Sequence, residues 1–319
     1  MKILITGAAG FIGFSLSKHL LTKGYQVIGV DNLNEYYNVN LKIDRINILK
    51  KSQEFKFYKF RIEDSYKLKK IFLKNNFKYV FHLAAQAGVR YSIMHPEKYV
   101  DSNIRGFFNI IDNCKINKVM RLYYASSSSV YGENDNYPIK EEENLNPKNF
   151  YGLSKKINEE IAEVYNINYN LKSTGLRFFT VYGEYGRPDM MIMKYLNSFY
   201  KKKKFELFNY GNHFRDFTYI KDVCEILFLL LKNNSKLENH EIFNICSNNP
   251  INLKKVLNIF SNQLIKPEIK KKPLQLADIK KTHGNNFKVK KITGFKNFTK
   301  FEEGLINTIN WYKKYYSSK

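Results

Sequence analysis

Tyr151 and Lys155 stand four residues apart in the run Asn149-Phe150-Tyr151-Gly152-Leu153-Ser154-Lys155. On a helix that spacing puts both side chains on one face, one turn apart. A phenol with a reference pKa of about 10 is a poor base at neutral pH, but a neighbouring ammonium favours its phenolate. Such a pair can take a proton from a hydroxyl while a hydride leaves the same carbon. In a chain with 24 tyrosines the spacing alone is weak. What strengthens it is the apolar run Leu122-Tyr123-Tyr124-Ala125, which ends in Ser126-Ser127-Ser128-Ser129-Val130-Tyr131-Gly132. In a doubly wound sheet ligands bind at the carboxyl ends of strands, where Ser127 can hold the oxygen that Tyr151 deprotonates. The bland alternative is a serine-rich loop that caps a helix.

A hydride needs an acceptor, and the N-terminus offers a seat for one. The first apolar run leads straight into Gly7-Ala8-Ala9-Gly10-Phe11-Ile12-Gly13, followed by a helical pattern that ends near Gly24. Glycines let a strand turn sharply and let backbone N–H groups approach a pyrophosphate at the positive end of the next helix. The spacing is that of short-chain dehydrogenases. Asp31 closes the second apolar run, where a carboxylate accepts from ribose hydroxyls and repels a 2′-phosphate. Asn32, Leu33 and Asn34 supply no cation to offset that repulsion, so the expected cofactor is NAD and not NADP. The positive nicotinamide ring would also favour the Tyr151 phenolate, and Lys155 has a second role open to it on the nicotinamide ribose.

The elements that must position these groups alternate. Strands are expected over 2–6, 25–30, 55–60, 79–83, 120–125 and 173–179, with helices over 12–23, 66–74, 97–116 and 147–170. Alternation of this kind indicates βαβ units and a parallel sheet. Beyond about residue 185 the rhythm shifts to shorter strands over 205–210, 214–219, 241–246 and 268–272. The expected fold is therefore α/β: a Rossmann-type doubly wound parallel sheet with a smaller C-terminal α/β substrate-binding lobe. Residues 1–180 would bind the dinucleotide and 181–319 mainly the substrate, with some chain crossing back to the sheet.

Composition removes other classes. The 319 residues are 44% hydrophobic and 16% aromatic, far from a disordered composition. The longest apolar run, Ile226 to Leu231, falls well short of the ~18 residues that cross a bilayer. The start does not read as a signal peptide. Three scattered cysteines, Cys114, Cys224 and Cys246, indicate neither a disulfide framework nor a metal site, and a reducing cytoplasm fits. The net charge of +24 raises the question of nucleic acid. The excess is mostly Lys spread along the chain beside abundant Asn, Ile, Tyr and Phe, as AT-rich coding produces, so solvated lysines are the reading taken. The run Lys201 to Lys204 reads as a basic helix end, and His82 as a core histidine.

With these motifs go His82-Leu83-Ala84-Ala85-Gln86-Ala87-Gly88-Val89-Arg90-Tyr91-Ser92, Arg177-Phe178-Phe179-Thr180-Val181-Tyr182-Gly183, Gly186-Arg187-Pro188-Asp189-Met190, Arg215-Asp216-Phe217-Thr218-Tyr219-Ile220 and Phe301-Glu302-Glu303-Gly304-Leu305. Together they resemble, over essentially the whole chain, the extended short-chain dehydrogenases that act on nucleotide sugars, and most of all the UDP-glucuronate 4-epimerases. The resemblance implies Ser127, Tyr151 and Lys155 as catalytic residues. It implies NAD contacts from Gly7, Gly10, Phe11, Ile12, Gly13, Asp31, Asn32, Ile62, Ala84, Ala85 and Gln86 as well as Tyr151 and Lys155.

Dehydratases of that family carry Thr-Asp-Glu before Val-Tyr-Gly and decarboxylases carry Thr-Ser-Glu. Here Ser127-Ser128-Ser129 brings no carboxylate, which favours oxidation at C4, rotation of the 4-keto sugar and hydride return. Ser128, Ser129, Thr180 and Arg187 would hold a sugar carboxylate, and Thr180 stands where galactose-type relatives usually have Asn. Arg215 and Arg90 would serve the diphosphate or the sugar, and Asp278 the nucleotide ribose. Relatives usually have an Asp for adenine where this chain has Arg61, and Arg cannot accept a hydrogen bond. That leaves the Ile62 backbone, stacking by Arg61 or a register shifted to Glu63. The resemblance also implies a homodimer through the helices over 97–116 and 147–170. The alternatives are a 4-epimerase of a neutral UDP-sugar, UDP-glucose or UDP-N-acetylglucosamine, and a non-catalytic NAD- or RNA-binding relative.

Overall fold

Val, Ile, Tyr and Phe crowd the apolar runs of the first half, and such runs make strands that can be buried on both faces. The computed structural model describes residues 1–275 and 278–317. Its first half runs β1 (Lys2–Thr6), α1 (Phe11–Thr22), β2 (Gln26–Asp31), α2 (Val39–Leu49), β3 (Phe55–Lys59), α3 (Ser65–Asn75), β4 (Tyr79–His82), α4 (Val89–Met94), α5 (Pro96–Tyr99), α6 (Gly106–Ile116), β5 (Arg121–Ser127), α7 (Phe150–Tyr169) and β6 (Ser173–Phe178). The remainder adds β7 (Thr180–Tyr182), α8 (Met191–Tyr200), β8 (Phe205–Phe208), β9 (Phe214–Tyr219), α9 (Ile220–Lys232), β10 (His240–Ile245), β11 (Pro250–Asn252), α10 (Leu253–Asn262), β12 (Ile269–Lys272), α11 (Phe287–Thr293) and α12 (Phe301–Ser317).

Seven strands form one all-parallel sheet in the order β10-β6-β5-β4-β1-β2-β3. The direction of winding reverses between β1 and β4, which opens a crevice at their carboxyl ends. Successive residues serve opposite faces. Leu4, Val80, Leu122 and Tyr124 pack with Phe107 and Ile110 of α6 and Ala162 of α7. Ile3, Ile5, Phe81 and Tyr123 belong to the larger core with Phe14 of α1 and Leu227 and Leu230 of α9. Two small sheets, β11-β9-β7 and β12-β8, are built from the later part of the chain.

The Rossmann-type expectation holds, with local differences. The strand expected over 241–246 in the smaller lobe is β10, which pairs with β6 and extends the main sheet; Phe243 and Ile245 are fully buried there. The helix expected over 97–116 is interrupted by a π-helical turn at Val100–Arg105. The helix expected over 147–170 starts at Phe150, because the Asn149 side chain accepts from Gly152 N at 2.8 Å and caps it. Helix α2, which the apolar pattern did not reveal, buries Lys42 and Arg45. Among the described residues no helix is long and apolar enough to cross a membrane, and the three cysteines are buried and free.

Candidate active site

The crevice is a cavity of about 400 Å³. All the residues expected to serve catalysis, NAD or substrate line it except Arg90, which lines an adjoining cavity of about 370 Å³.

At one end lies the glycine loop. A Cβ on Gly13 would overlap the Gly7 carbonyl oxygen, so only glycine lets α1 close on the turn after β1. No side chain caps α1, and Gly10, Phe11, Ile12 and Gly13 line the cavity at its first turn, where backbone N–H groups have no partner within the helix. Asp31 accepts from Ala9 N (3.1 Å) and Leu33 N (2.8 Å), which ties the end of β2 to the loop. Two bonds leave carboxylate lone pairs for a ribose. Burial pushes the Asp31 carboxyl up, opposed by its backbone hydrogen bonds and by Lys42 and Arg45. Lys42 is the cation that the run 32–34 lacks. It lines the cavity, but its ammonium is spent on Asn34, donating at 2.6 Å to both the carbonyl and the side-chain oxygen.

Of the openings left for adenine, Ile62 is buried and lines the cavity, and its carbonyl accepts from Asn109 Nδ2 at 3.1 Å. Arg61 turns to the surface with its side chain 64% exposed and pairs with Glu63 at 3.2 Å. Glu63 also accepts from Ser102 Oγ, while its Oε2 is buried without a partner among the described residues.

In the middle, Ser127 ends β5 and Tyr151 and Lys155 rise from the first turns of α7. The Tyr151 phenol lies beside the Ser127 hydroxyl. Burial pushes that phenol up, and what opposes the shift is Ser127 together with the charge of Arg187. Arg187 is thus a cation acting on the phenol that the sequence had not assigned to it. The Lys155 ammonium donates to Ala125 O at 2.8 Å, and burial lowers its pKa to about 8 against the opposing field of Glu159. Ser127 Oγ lies 3.2 Å from Ser129 Oγ and accepts from Ser129 N. Buried His82 bonds Thr6 Oγ1 at 2.8 Å and is pushed down to about 3 by burial and Lys155, so it is neutral.

Asn103 was not anticipated. The π-helical turn swings it inward, where its side chain accepts from Gln86 N (2.8 Å) and donates to Gln86 O (3.1 Å) and Ser154 Oγ (2.9 Å). It clamps the loop after β4 to α7, and no signal in the sequence marked it.

At the far end stand Thr180 at the start of β7 and Arg187, whose Nε and Nη2 donate to Asp189 at 3.0 and 2.5 Å. Arg215 on β9 donates to Phe214 O and Lys280 O, and burial lowers its pKa to about 10 against the field of Asp278. Arg90 pairs with both oxygens of Asp278 (2.9 and 3.1 Å) and lies 4.1 Å over the Phe208 ring.

A bare helix start below a glycine turn, a carboxylate at the end of β2 and a serine, tyrosine and lysine at the end of β5 fit a bound dinucleotide in the manner of a Rossmann-type dehydrogenase. Comparison with known proteins narrows the class. The chain belongs to the NAD dependent epimerase/dehydratase family, whose model matches residues 3–246. It is 40% identical to Protein CapI of Staphylococcus aureus over 99% of both chains. It is also 40% identical to the UDP-glucuronate 4-epimerase of Thermodesulfobacterium geofontis over 98% of this chain and 96% of that one. Among solved structures it resembles the UDP-glucuronic acid 4-epimerase of Bacillus cereus in complex with UDP-glucuronic acid and NAD, with a TM-score of 0.92 and 29% identity over 99% of this chain and 100% of that one. The protein is an NAD-dependent enzyme.

Proposed function

We propose that the protein is a UDP-glucuronate 4-epimerase, interconverting UDP-glucuronate and UDP-galacturonate without net use of cofactor. The observation that carries this reading is the wall around Tyr151. The hydroxyls of Ser127, Ser128, Ser129 and Thr180 and the guanidinium of Arg187 line the cavity with it. Elimination or decarboxylation chemistry needs an added acid at positions 128 or 129, and both are serine.

Gly7, Gly10, Gly13 and Asp31 would hold NAD, which would supply the hydride chemistry at C4 of the sugar. Tyr151 takes the C4 hydroxyl proton and later gives it back, with Ser127 holding that oxygen. Lys155 fixes the turn of α7 on Ala125 and adds its positive field. The 4-keto uronate is a β-keto acid and loses CO2 if its carboxylate bond aligns with the carbonyl π system. In this reading Ser128, Ser129, Thr180 and the Nη1 side of the Arg187 fork hold the carboxylate out of that alignment. Residues 1–180 carry the cofactor. Residues 181–319 supply most of the UDP-sugar seat, with Arg215 toward the diphosphate and the Arg90–Asp278 pair toward the nucleoside. The exposed apolar residues Phe108 on α6 and Leu153, Val164 and Ile167 on α7 fit a homodimer through these helices, and a cytoplasmic enzyme is the matching setting.

The test is purified protein with UDP-glucuronate, with and without added NAD, followed by NMR of the anomeric signals while CO2 is trapped. UDP-galacturonate without CO2 is the expected result. Conversion of UDP-glucose with no turnover of the uronate would move the assignment to a neutral sugar. Absence of any turnover, with tight salt-dependent RNA binding, would leave a binding protein.

A further inference from the structure

Tyr36 lies in the loop beyond Asp31 and has no part in the chemistry above, yet it lines both cavities, as Arg187 does. Its hydroxyl donates to Asp189 Oδ2 at 3.1 Å, and the same carboxylate takes two bonds from Arg187. The ring is fixed on its other sides. It packs edge-on against Tyr91 with centroids 5.0 Å apart, and a Cβ on Gly88 would overlap its hydroxyl. The neighbouring Tyr37 is held by Arg45 at 2.7 Å, and Arg45 also donates to Ala9 O in the glycine loop and to Tyr185 O. The loop is therefore anchored both to the glycine loop and to Tyr185, and its phenol reaches Asp189.

The charge states suit a fixed relay. Burial, then the Asp189 charge, push the Tyr36 phenol up to about 12, so it remains a donor at working pH. Burial acts to raise the Asp189 carboxyl, but Arg187 and Tyr36 bring it below the usual carboxylate range, so it remains an acceptor. A carboxylate bonded only by Arg187 could rotate with it. The third bond, from a ring clamped against Gly88 and Tyr91, removes that freedom.

We propose that Tyr36 is a positioning residue: through Asp189 it holds the Arg187 guanidinium at the junction of the two cavities, and so sets the affinity for a carboxylated sugar from the cofactor side. This rests on the uronate reading above. The test uses NAD-loaded protein carrying Tyr151→Phe to stop turnover, with UDP-glucuronate and UDP-glucose titrated calorimetrically. Tyr36→Phe, Arg187→Ala and the pair are compared on that background. Tyr36→Phe is expected to weaken UDP-glucuronate about tenfold, the scale of one lost hydrogen bond to a charged group, and UDP-glucose less than about twofold. Once Arg187→Ala is present, it should add nothing. Equal weakening of both sugars, or an undiminished effect beside Arg187→Ala, overturns the proposal. If the parent prefers UDP-glucose, the uronate reading falls separately. The same double-mutant cycle on UDP-glucose then decides the link: non-additivity keeps it and additivity removes it.

Discussion

In the proposed reaction Tyr151 exchanges a proton in a place where burial opposes its phenolate, and Ser127 and Arg187 are what offset that burial. Tyr151→Phe is expected to lower turnover about 10²- to 10⁴-fold, the range of general acid–base catalysis, with UDP-glucuronate binding retained in calorimetry. An equal loss of binding would show that the phenol holds the sugar and does not move the proton. Lys155 has its pKa lowered to about 8 by burial, with Glu159 opposing. A lysine depressed in this way is cationic below that pH and loses its charge above it. Turnover should decline as pH rises through about 8; a profile flat to pH 10 would remove the ammonium from the mechanism. For stability the sign is reversed. Folding disfavours the charged form, so the Lys155 contribution improves as pH rises from about 8 toward the ordinary value of 10.5. The glycine loop, Asp31, Ser127, Tyr151 and Lys155 were legible because each sits in a local motif. Asp189 was not, since its partner Tyr36 lies 153 residues away and neither residue belongs to a periodic pattern.

Helix α7 carries Tyr151 and Lys155, so its seat on the sheet decides their geometry. A buried ion pair supplies much of it. Glu159, one turn beyond Lys155, accepts from Arg177 on β6 at 2.8 and 2.9 Å and from Ser126 on β5 at 2.5 Å. Both side chains are at most 5% exposed. Arg177→Ala strands the carboxylate in the core and is expected to destabilise the fold by about 3–5 kcal/mol in urea denaturation. A loss below about 1 kcal/mol would mean that water reaches Glu159. Strands and most helices were readable because their apolar residues repeat at the period of the element. Short strands such as β7 and β11 escaped, and so did two larger features. Helix α2 buries Lys42 and Arg45, which blurs its apolar stripe. The insertion at Val100–Arg105 leaves the apolar pattern of a continuous helix intact, while its purpose, Asn103 on Gln86 and Ser154, resides in other parts of the chain.

At the scale of the molecule, Leu153, Val164 and Ile167 recur at helical spacing on α7 and are 40%, 50% and 73% exposed. Charging that stripe, with Ile167→Lys as the mildest case, should convert a dimer to a monomer in light scattering with the fold retained by circular dichroism. A wild-type monomer would refute the proposed interface. The placement of β10 reaches further. All six residues of β6 are buried, and β10, delivered by a much later stretch of chain, is what covers its outer edge. A fragment ending near residue 180 would contain every residue proposed for the cofactor and still offer other molecules a bare row of backbone donors and acceptors. The N-terminal half thus relies on the later chain to cap the β6 edge of its sheet. A nascent chain leaves that edge open until residues 240–245 have left the ribosome.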